Sequence, residues 1–164
     1  MASYFLALGS NLGDREANLR SAIRELAARH IRVVRSASVY ATAPKEIVEQ
    51  PWFLNTVIEV ETTLEPDDLM VVCLEIEAAC GRERTQPNGP RTLDIDIVLS
   101  ENRVVRTERV TIPHPRYSER RFVVEPLAEL AREMVDPVRG ESMRKILSQL
   151  GDGDDVRLDG PPLV

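Results

Sequence analysis

Two aspartates on one predicted β-strand are the side chains of this sequence best placed for chemistry. Segment 92–99 alternates in character, with Leu93, Ile95, Ile97 and Leu99 expected on one face and Thr92, Asp94, Asp96 and Val98 on the other. Residues two apart on a strand lie about 6.5–7 Å apart at Cα, and carboxylates so placed repel each other unless a positive charge lies between them. Asp94 and Asp96 therefore suit a hard divalent cation such as Mg²⁺, which prefers a few carboxylate oxygens together with water and phosphate. The alternative is the solvated polar face of an edge strand.

The turn before this strand adds a positive charge. Gly89-Pro90 predicts a turn that places Arg91 at the start of the strand, where its guanidinium group could bind phosphate. Other arginines cluster within residues 82–91 and 116–121. Such short clusters suit a small anionic ligand better than a nucleic-acid duplex, and the formal net charge of -6 points the same way.

The composition is that of an ordinary globular protein. With 164 residues, 43% of them hydrophobic and 29% charged, the chain can bury a core of its own as a single domain. Its first residues have neither a basic leader nor a long apolar run, so we expect no signal peptide or membrane anchor and a cytoplasmic location. Cys73 and Cys80 lie on one predicted helix, about 10 Å apart along its axis, which is beyond the reach of a disulfide.

Hydrophobic periodicity predicts an α+β fold. Strands are predicted at residues 3–8, 31–42, 52–64 and 92–99, and amphipathic helices at 15–29 and 66–80. This βαββαβ order is that of the ferredoxin-like arrangement, a predominantly antiparallel sheet with both helices on one face. C-terminal helices are predicted from Glu125 and from Ser142 to Leu150. We expect one domain at residues 1–150, followed by a loosely ordered tail at 151–164.

Several motifs, in order and with compatible spacing, resemble those of the 6-hydroxymethyl-7,8-dihydropterin pyrophosphokinase family. They lie at residues 7–13, 40–44, 50–55, 75–84, 89–96 and 112–114. The similarity extends from about Tyr4 to about Leu150, and the element Gly-Pro-Arg-x-x-Asp-x-Asp at 89–96 is highly specific in this company.

The resemblance implies a reaction. Members of the family transfer the terminal diphosphate of ATP to the hydroxymethyl group of a reduced pterin and release AMP, a step of folate biosynthesis. By resemblance, Asp94 and Asp96 bind two Mg²⁺ ions, and Arg82 and Arg91 are catalytic arginines on a loop. The partners implied are these small-molecule substrates, with no nucleic acid, no membrane and no obligate protein partner.

The resemblance also implies two sets of binding residues. Those matching pterin-binding positions are Thr42, Pro44, Lys45, Phe53, Asn55 and Phe122. Those matching ATP-contacting or nearby positions are Glu77, Arg84, Ile97, Val110, Thr111, His114 and Arg120. From residue types alone, the phenylalanines could equally be core, Asn55 a strand-surface residue and His114 a loop histidine bonded to backbone.

Two other functions use similar residues. A metal-dependent phosphohydrolase would also need paired aspartates and arginines, but it would normally add a base to activate water, and none is evident. A non-catalytic ferredoxin-like ligand-binding module would not need paired carboxylates beside an arginine-rich loop. Mg²⁺-dependent ATP binding would argue against the binding module, and AMP as product, rather than ADP or free phosphate, would argue against a phosphohydrolase and an ordinary kinase.

Overall fold

The structure is a computed structural model that describes residues 1–44, 50–81, 92–151 and 155–164. Its first part has the strand and helix order that the periodicity predicts. The elements are β1 (Ala2–Ser10), α1 (Arg15–Ala28), β2 (Arg32–Ser36), β3 (Val39–Thr42), β4 (Phe53–Thr62), α2 (Pro66–Ala79) and β5 (Asp94–Leu99). Asp14 caps α1 by accepting a hydrogen bond from the Ala17 N–H at 3.1 Å.

The sheet is antiparallel and has the ferredoxin-like strand order. Strand β1 is central and pairs with β4 on one side and β5 on the other, while β2 and β3 both pair with β4. The segment expected as one strand at 31–42 is thus two strands on the same partner. Between them the Thr56 hydroxyl donates to the Ala37 and Ser38 carbonyls at 3.0 and 3.1 Å, which satisfies backbone groups that the interrupted ladder leaves out.

Each face of the sheet carries its own core. On one face, α1 and α2 bury residues such as Leu26 and Ile76 against Leu6 and Leu8 of β1. On the other face, helices α3 (Arg121–Ala131) and α4 (Met143–Ser148) pack on Phe5 and Val57. The ferredoxin-like core with C-terminal helices is therefore confirmed, and the described elements form layers of helix, sheet and helix.

The predicted alternation of β5 is wrong at its end. The pairing with β1 runs from Asp94 to Ile97 and then shifts, so that Leu6 faces Ile97 and Phe5 faces Leu99. Val98 is the extra residue of this irregularity, as in a β-bulge. Val98 and Leu99 consequently both belong to the α3 core. The Val98 carbonyl accepts the His114 N–H at 2.7 Å, which ties the 110–115 segment to the sheet.

The C-terminal part differs from the sequence-based expectation in two places. Helix α3 begins at Arg121 rather than at Glu125, with Pro126 inside it, because packing of Val124 and Leu127 outweighs the hydrogen bond that the proline removes. The expected loosely ordered tail at 151–164 is corrected for its described part. Strand β8 (Val156–Gly160) adds to the sheet beside β3, whose outer edge would otherwise expose unpaired backbone groups.

Two minor features complete the description. A short hairpin joins β6 (Val105–Arg106) to β7 (Thr111–Ile112), and the Ile112–Pro113 peptide bond is cis. Helix α4 begins after Ser142, whose hydroxyl accepts the Lys145 N–H at 3.1 Å. Over the described residues, none of the helices is both long and apolar enough to span a membrane.

Candidate functional site

A cavity of about 330 Å³ opens on the α3 side of the sheet. Its floor is the central strand β1, which contributes the small residues Ala7 and Gly9. Strand β1 also contributes Leu8. The other lining residues come from the neighbouring strands, from the residues that follow β3 and precede β4, from the segment before α3 and from the start of α3: Thr42, Ala43, Pro44, Gln50, Phe53, Asn55, Thr56, Asp94, Asp96, Arg116, Glu119, Arg120 and Phe122. The fold therefore collects most of the predicted site residues that it describes around one opening.

The two aspartates stand side by side in this cavity. Asp94 pairs with Gly9 and Asp96 with Ala7 across β1 and β5, and both carboxylates are partly buried. Among the described residues, no group of three or more acidic, histidine or cysteine side chains could hold a metal ion. A pair of carboxylates is the donor set that Mg²⁺ accepts, because this ion keeps several waters and completes its shell with substrate phosphates. The residues present therefore fit the metal expected from the sequence.

A buried polar pair lies on the opposite side of the floor. Asn55 on β4 donates through Nδ2 to the Thr42 hydroxyl at 2.7 Å, and both residues are almost fully buried. Phe53 and Phe122 line the same cavity from β4 and from α3. An amide with donor and acceptor atoms, placed near two aromatic rings, can bind a flat heterocycle along its edge and its faces.

The chain on either side of residues 45–49 is tied down by contacts that the sequence analysis missed. Asn11 donates to the Gln50 side chain at 2.9 Å and to the Pro51 carbonyl at 3.2 Å, and Arg15 donates to the Trp52 carbonyl at 2.8 Å. Asn11 follows Ser10 in the turn-forming run 9–14, a pattern that indicates a turn and gives no sign of a distant partner.

Strand β8 and the residue before it contact the chain on both sides of residues 45–49. The Ala43 N–H donates to the Asp155 carbonyl at 2.9 Å, and the Arg157 guanidinium lies 4.8 Å from the centroid of the Trp52 ring. The second contact is a cation–π interaction. Both contacts depend on strand pairing with the C-terminal segment, which hydrophobic periodicity did not indicate.

The segment before α3 places positive charge at the cavity. Arg116 and Arg120 flank a short 3-10 helix at Tyr117–Glu119 and line the opening. The Tyr117 hydroxyl donates to the buried Asp136 carboxylate, which also accepts two backbone N–H groups at 2.7 and 3.0 Å. Burial and this hydrogen bond raise the pKa of Tyr117. Asp136 thus anchors the segment, another long-range contact without a signal in the sequence.

His114 lies near Asp96 without lining the cavity. Burial lowers its pKa, and the charges of Arg120 and Arg116 add to this, against the opposing charge of Asp96. Its Nδ1 accepts the Arg116 N–H at 3.1 Å, so the proton of the neutral ring is assigned to Nε2. A neutral imidazole with that tautomer can donate one hydrogen bond to a phosphate oxygen.

Besides His114, four described residues matched to ATP contact do not line the cavity. Glu77 is buried, and its carboxylate accepts the Ile95 N–H at 2.7 Å. Ile97 and Val110 belong to the core under α1 and α2, and Thr111 is in β7. Their ATP contacts stay predictions. Lys45, Arg82, Arg84 and Arg91 lie outside the described residues.

Comparison with known proteins gives a consistent family assignment. The model of the 7,8-dihydro-6-hydroxymethylpterin-pyrophosphokinase (HPPK) family matches residues 5–132. A 2-amino-4-hydroxy-6-hydroxymethyldihydropteridine pyrophosphokinase of Methylorubrum extorquens is 44% identical over 151 residues, which is 92% of this chain and 94% of that protein. The protein of the same name from Bacillus subtilis is 42% identical over 132 residues, 79% of this chain and 78% of that one.

Longer proteins contain a similar part. The folic acid synthesis protein fol1 of Pneumocystis carinii is 35% identical over 150 residues, and this chain covers 20% of its length. Among solved structures, a Plasmodium falciparum HPPK-DHPS triple mutant with STZ-DHP is similar to 90% of this chain, with a TM-score of 0.71 and 13% identity. This chain covers 43% of that chain, and the likeness concerns the fold alone.

Proposed function

Because this chain belongs to the 7,8-dihydro-6-hydroxymethylpterin-pyrophosphokinase family, we propose how its described residues carry out the reaction. The enzyme moves the β,γ-diphosphate of ATP to the hydroxymethyl group of 6-hydroxymethyl-7,8-dihydropterin and releases AMP, in folate biosynthesis. ATP is a co-substrate, and the other substrate is the reduced pterin. Metal dependence and the roles of individual residues are our proposals.

Asp94 and Asp96 bind magnesium, with two ions expected. When bound, Mg²⁺ neutralises phosphate charge and orients the transferred group for in-line attack. The carboxylates are suited to this role because they share the cavity face of β5 and have only Ala7 and Gly9 opposite them on β1. Placing them on a paired strand rather than on a loop fixes the direction of both side chains.

The pterin binds on the other side of the floor. Asn55, with Thr42 beside it, recognises the polar edge of the ring, and Pro44 lines the wall near that edge. Phe53 and Phe122 pack on the faces of the ring. Lys45, by family resemblance, completes this subsite. The hydroxymethyl group then points along the floor toward the aspartates.

The phosphates of ATP lie between the aspartates and the positive segment before α3. Arg120 binds a phosphate oxygen from the cavity wall, and His114 donates from Nε2 to another. Arg82, Arg84 and Arg91 carry the remaining positive charge, because a guanidinium group stays charged and matches phosphate geometry. Glu77, Ile97, Val110 and Thr111 are proposed near the nucleotide, with Glu77 acting through β5.

One observation carries the proposal: a single cavity joins the paired aspartates to Asn55 and the two phenylalanines. The experiment that tests it measures AMP from ATP, with and without 6-hydroxymethyl-7,8-dihydropterin, at increasing Mg²⁺ and after its removal with a chelator. We expect AMP only when both pterin and metal are present. Free phosphate independent of pterin would indicate a phosphohydrolase, and tight ligand binding without turnover would indicate a binding module.

The domain bounds and the cellular location of the protein can also be tested. We propose that residues 1–150 form the pyrophosphokinase domain and that the protein acts in the cytoplasm. Cell fractionation with detection of the enzyme activity tests the location, and a chain ending at Leu150 tests whether the domain is active without β8.

A further inference from the structure

Gly9 occupies the middle of the cavity floor. It pairs with Asn55 of β4 on one side and with Asp94 of β5 on the other. It is therefore the point on β1 where the pterin side and the metal side of the cavity meet. From residue types alone, Gly9 is the end of a strand before a turn, although it belongs to the motif at residues 7–13.

The Asn55 amide lies over the backbone of Gly9. A Cβ built on Gly9 would be 2.7 Å from Asn55 Oδ1, a distance that real Cβ atoms essentially never show, and 3.8 Å from Phe53 Cδ1. The Gly9 φ angle is outside the left-handed region, so the backbone conformation itself does not call for glycine. Glycine is needed at position 9 because a side chain there would occupy the space of the Asn55 amide.

That space fixes the direction of the amide. Asn55 Nδ2 donates to the Thr42 hydroxyl at 2.7 Å, and Asn55 is buried, so the group cannot turn away without losing this bond. With a methyl group at position 9, Oδ1 would have to move by several tenths of an ångström. The bond to Thr42 and the edge presented to the cavity would then change together.

We propose that Gly9 is a positioning residue for the pterin, acting through Asn55: its missing side chain lets the Asn55 amide lie flat on β1 in the orientation that reads the ring edge. This inference depends on the proposed role of Asn55. It extends that role to a residue that makes no polar contact of its own with the ring. It also accounts for a glycine in the centre of a sheet, where the residue is otherwise unfavourable.

The test is a double-mutant cycle on pterin binding. Gly9→Ala, Asn55→Ala and the double variant are compared with the parent by titrating pterin in the presence of Mg²⁺ and a non-hydrolysable ATP analogue. We expect Gly9→Ala to raise the pterin Kd about tenfold in the parent and to have little effect once Asn55 is alanine. The Kd of the ATP analogue should change less than about twofold, since the carboxylates stay in place.

A matched control is Gly160→Ala in the same sheet, since a Cβ there meets nothing within 4 Å. It should leave pterin binding unchanged. Thermal unfolding covers the case in which Gly9→Ala fails to fold, because removal of the amide should restore the Tm of the double variant toward that of Asn55→Ala. A double variant that also fails to fold contradicts the proposal.

The outcomes separate this inference from the role of Asn55. If Asn55→Ala weakens pterin binding but Gly9→Ala weakens it equally in both backgrounds, Gly9 acts independently and the inference is wrong while the role of Asn55 stands. If Gly9→Ala has no effect in the parent, the inference is also wrong. If Asn55→Ala leaves pterin binding unchanged, the proposed role of Asn55 fails, and the inference fails with it.

Discussion

The buried Glu77 carboxylate accepts the backbone N–H of Ile95, the residue between the two aspartates, at 2.7 Å. Among the described strands, β5 is at the edge of the sheet, so its outward N–H groups need partners from outside the ladder. Helix α2 supplies the partner of the Ile95 N–H through Glu77. The direction of the Asp94 and Asp96 side chains therefore depends on a residue that does not line the cavity.

Replacing Glu77 with leucine should destabilise the protein and slow turnover. The Ile95 N–H loses its acceptor, which costs about 1–3 kcal/mol in the free energy of unfolding. Glu77→Gln keeps an acceptor oxygen and should lose less. Urea unfolding and kcat for AMP formation measure both effects, with Glu75→Leu, exposed on the same helix, as control. A loss of ATP affinity with unchanged stability would favour direct nucleotide contact instead.

Asp94→Asn and Asp96→Asn should each lower kcat by about 100-fold or more without unfolding the protein. Each change removes one of the negative charges proposed to bind the metal, which lowers kcat. It also relieves repulsion between the carboxylates, so the Tm without metal should be unchanged or higher. The measurement is AMP formation together with Tm as Mg²⁺ and an ATP analogue are added. Asp159→Asn, exposed on β8, is the control. Full activity of either variant would remove that aspartate from the metal site.

Phe53→Ala and Phe122→Ala should each weaken pterin binding by about tenfold to a hundredfold, the usual range for loss of an aromatic stacking partner. ATP affinity should change little, since neither ring is on the phosphate side of the proposed site. Fluorescence titration with pterin and with an ATP analogue gives both values for each variant. Equal losses in the two affinities would indicate a general packing defect rather than stacking on the pterin.

His114 should make stability depend on pH. Its pKa is lowered in the folded protein, so the unfolded chain binds the proton first as the pH falls. The resulting stabilisation is present above about pH 6.5 and is lost as the pH falls through the folded-state pKa. Metal-free urea unfolding at several pH values should show a steeper loss for the parent than for His114→Asn.

His30→Asn is the matched control for this comparison. His30 is exposed and has a φ of 63°, a conformation that asparagine also tolerates. This variant should keep the steep pH dependence of the parent. A profile for His114→Asn that runs parallel to that of the parent would mean that other groups cause the loss.

Arg157→Ala should raise the pterin KM by a few-fold and lower stability slightly. The guanidinium group lies over Trp52, and an exposed cation–π contact is worth about 0.5–1 kcal/mol. Trp52 directly precedes Phe53, so greater freedom of the Trp52 ring in this variant should disturb Phe53 and weaken pterin binding. Steady-state kinetics measure the effect, with Arg106→Ala, exposed on β6, as control. A larger change in the ATP KM would contradict this link.

The sequence predicted the parts of the molecule that depend on local pattern. Alternation placed Asp94 and Asp96 on one face of a strand, and helical periodicity placed Leu69 and Ile76 in a core. It was wrong at Leu99, because the extra residue Val98 reverses the side chains that follow it and leaves no mark in the composition.

The contacts that the sequence did not predict join distant segments of the chain. The Tyr117–Asp136 bond, the Asn11–Gln50 bond and the pairing of β8 with β3 are not encoded by spacing along the chain. Gly9 is the clearest case within the site. Its sequence context indicates a turn, while its proposed role comes from the residue that faces it across the sheet.

The central position of β1 has a consequence for substrate geometry. Asn55 and Asp94 both pair with Gly9, one on each side. Their Cα atoms are therefore two interstrand spacings apart, about 9.5 Å. Backbone hydrogen bonding sets that distance, and side-chain substitution cannot tune it. With the roles proposed for Asn55 and Asp94, this fixed spacing would admit an acceptor whose reactive alcohol lies at a matching distance from its ring and would exclude rings with shorter or longer arms.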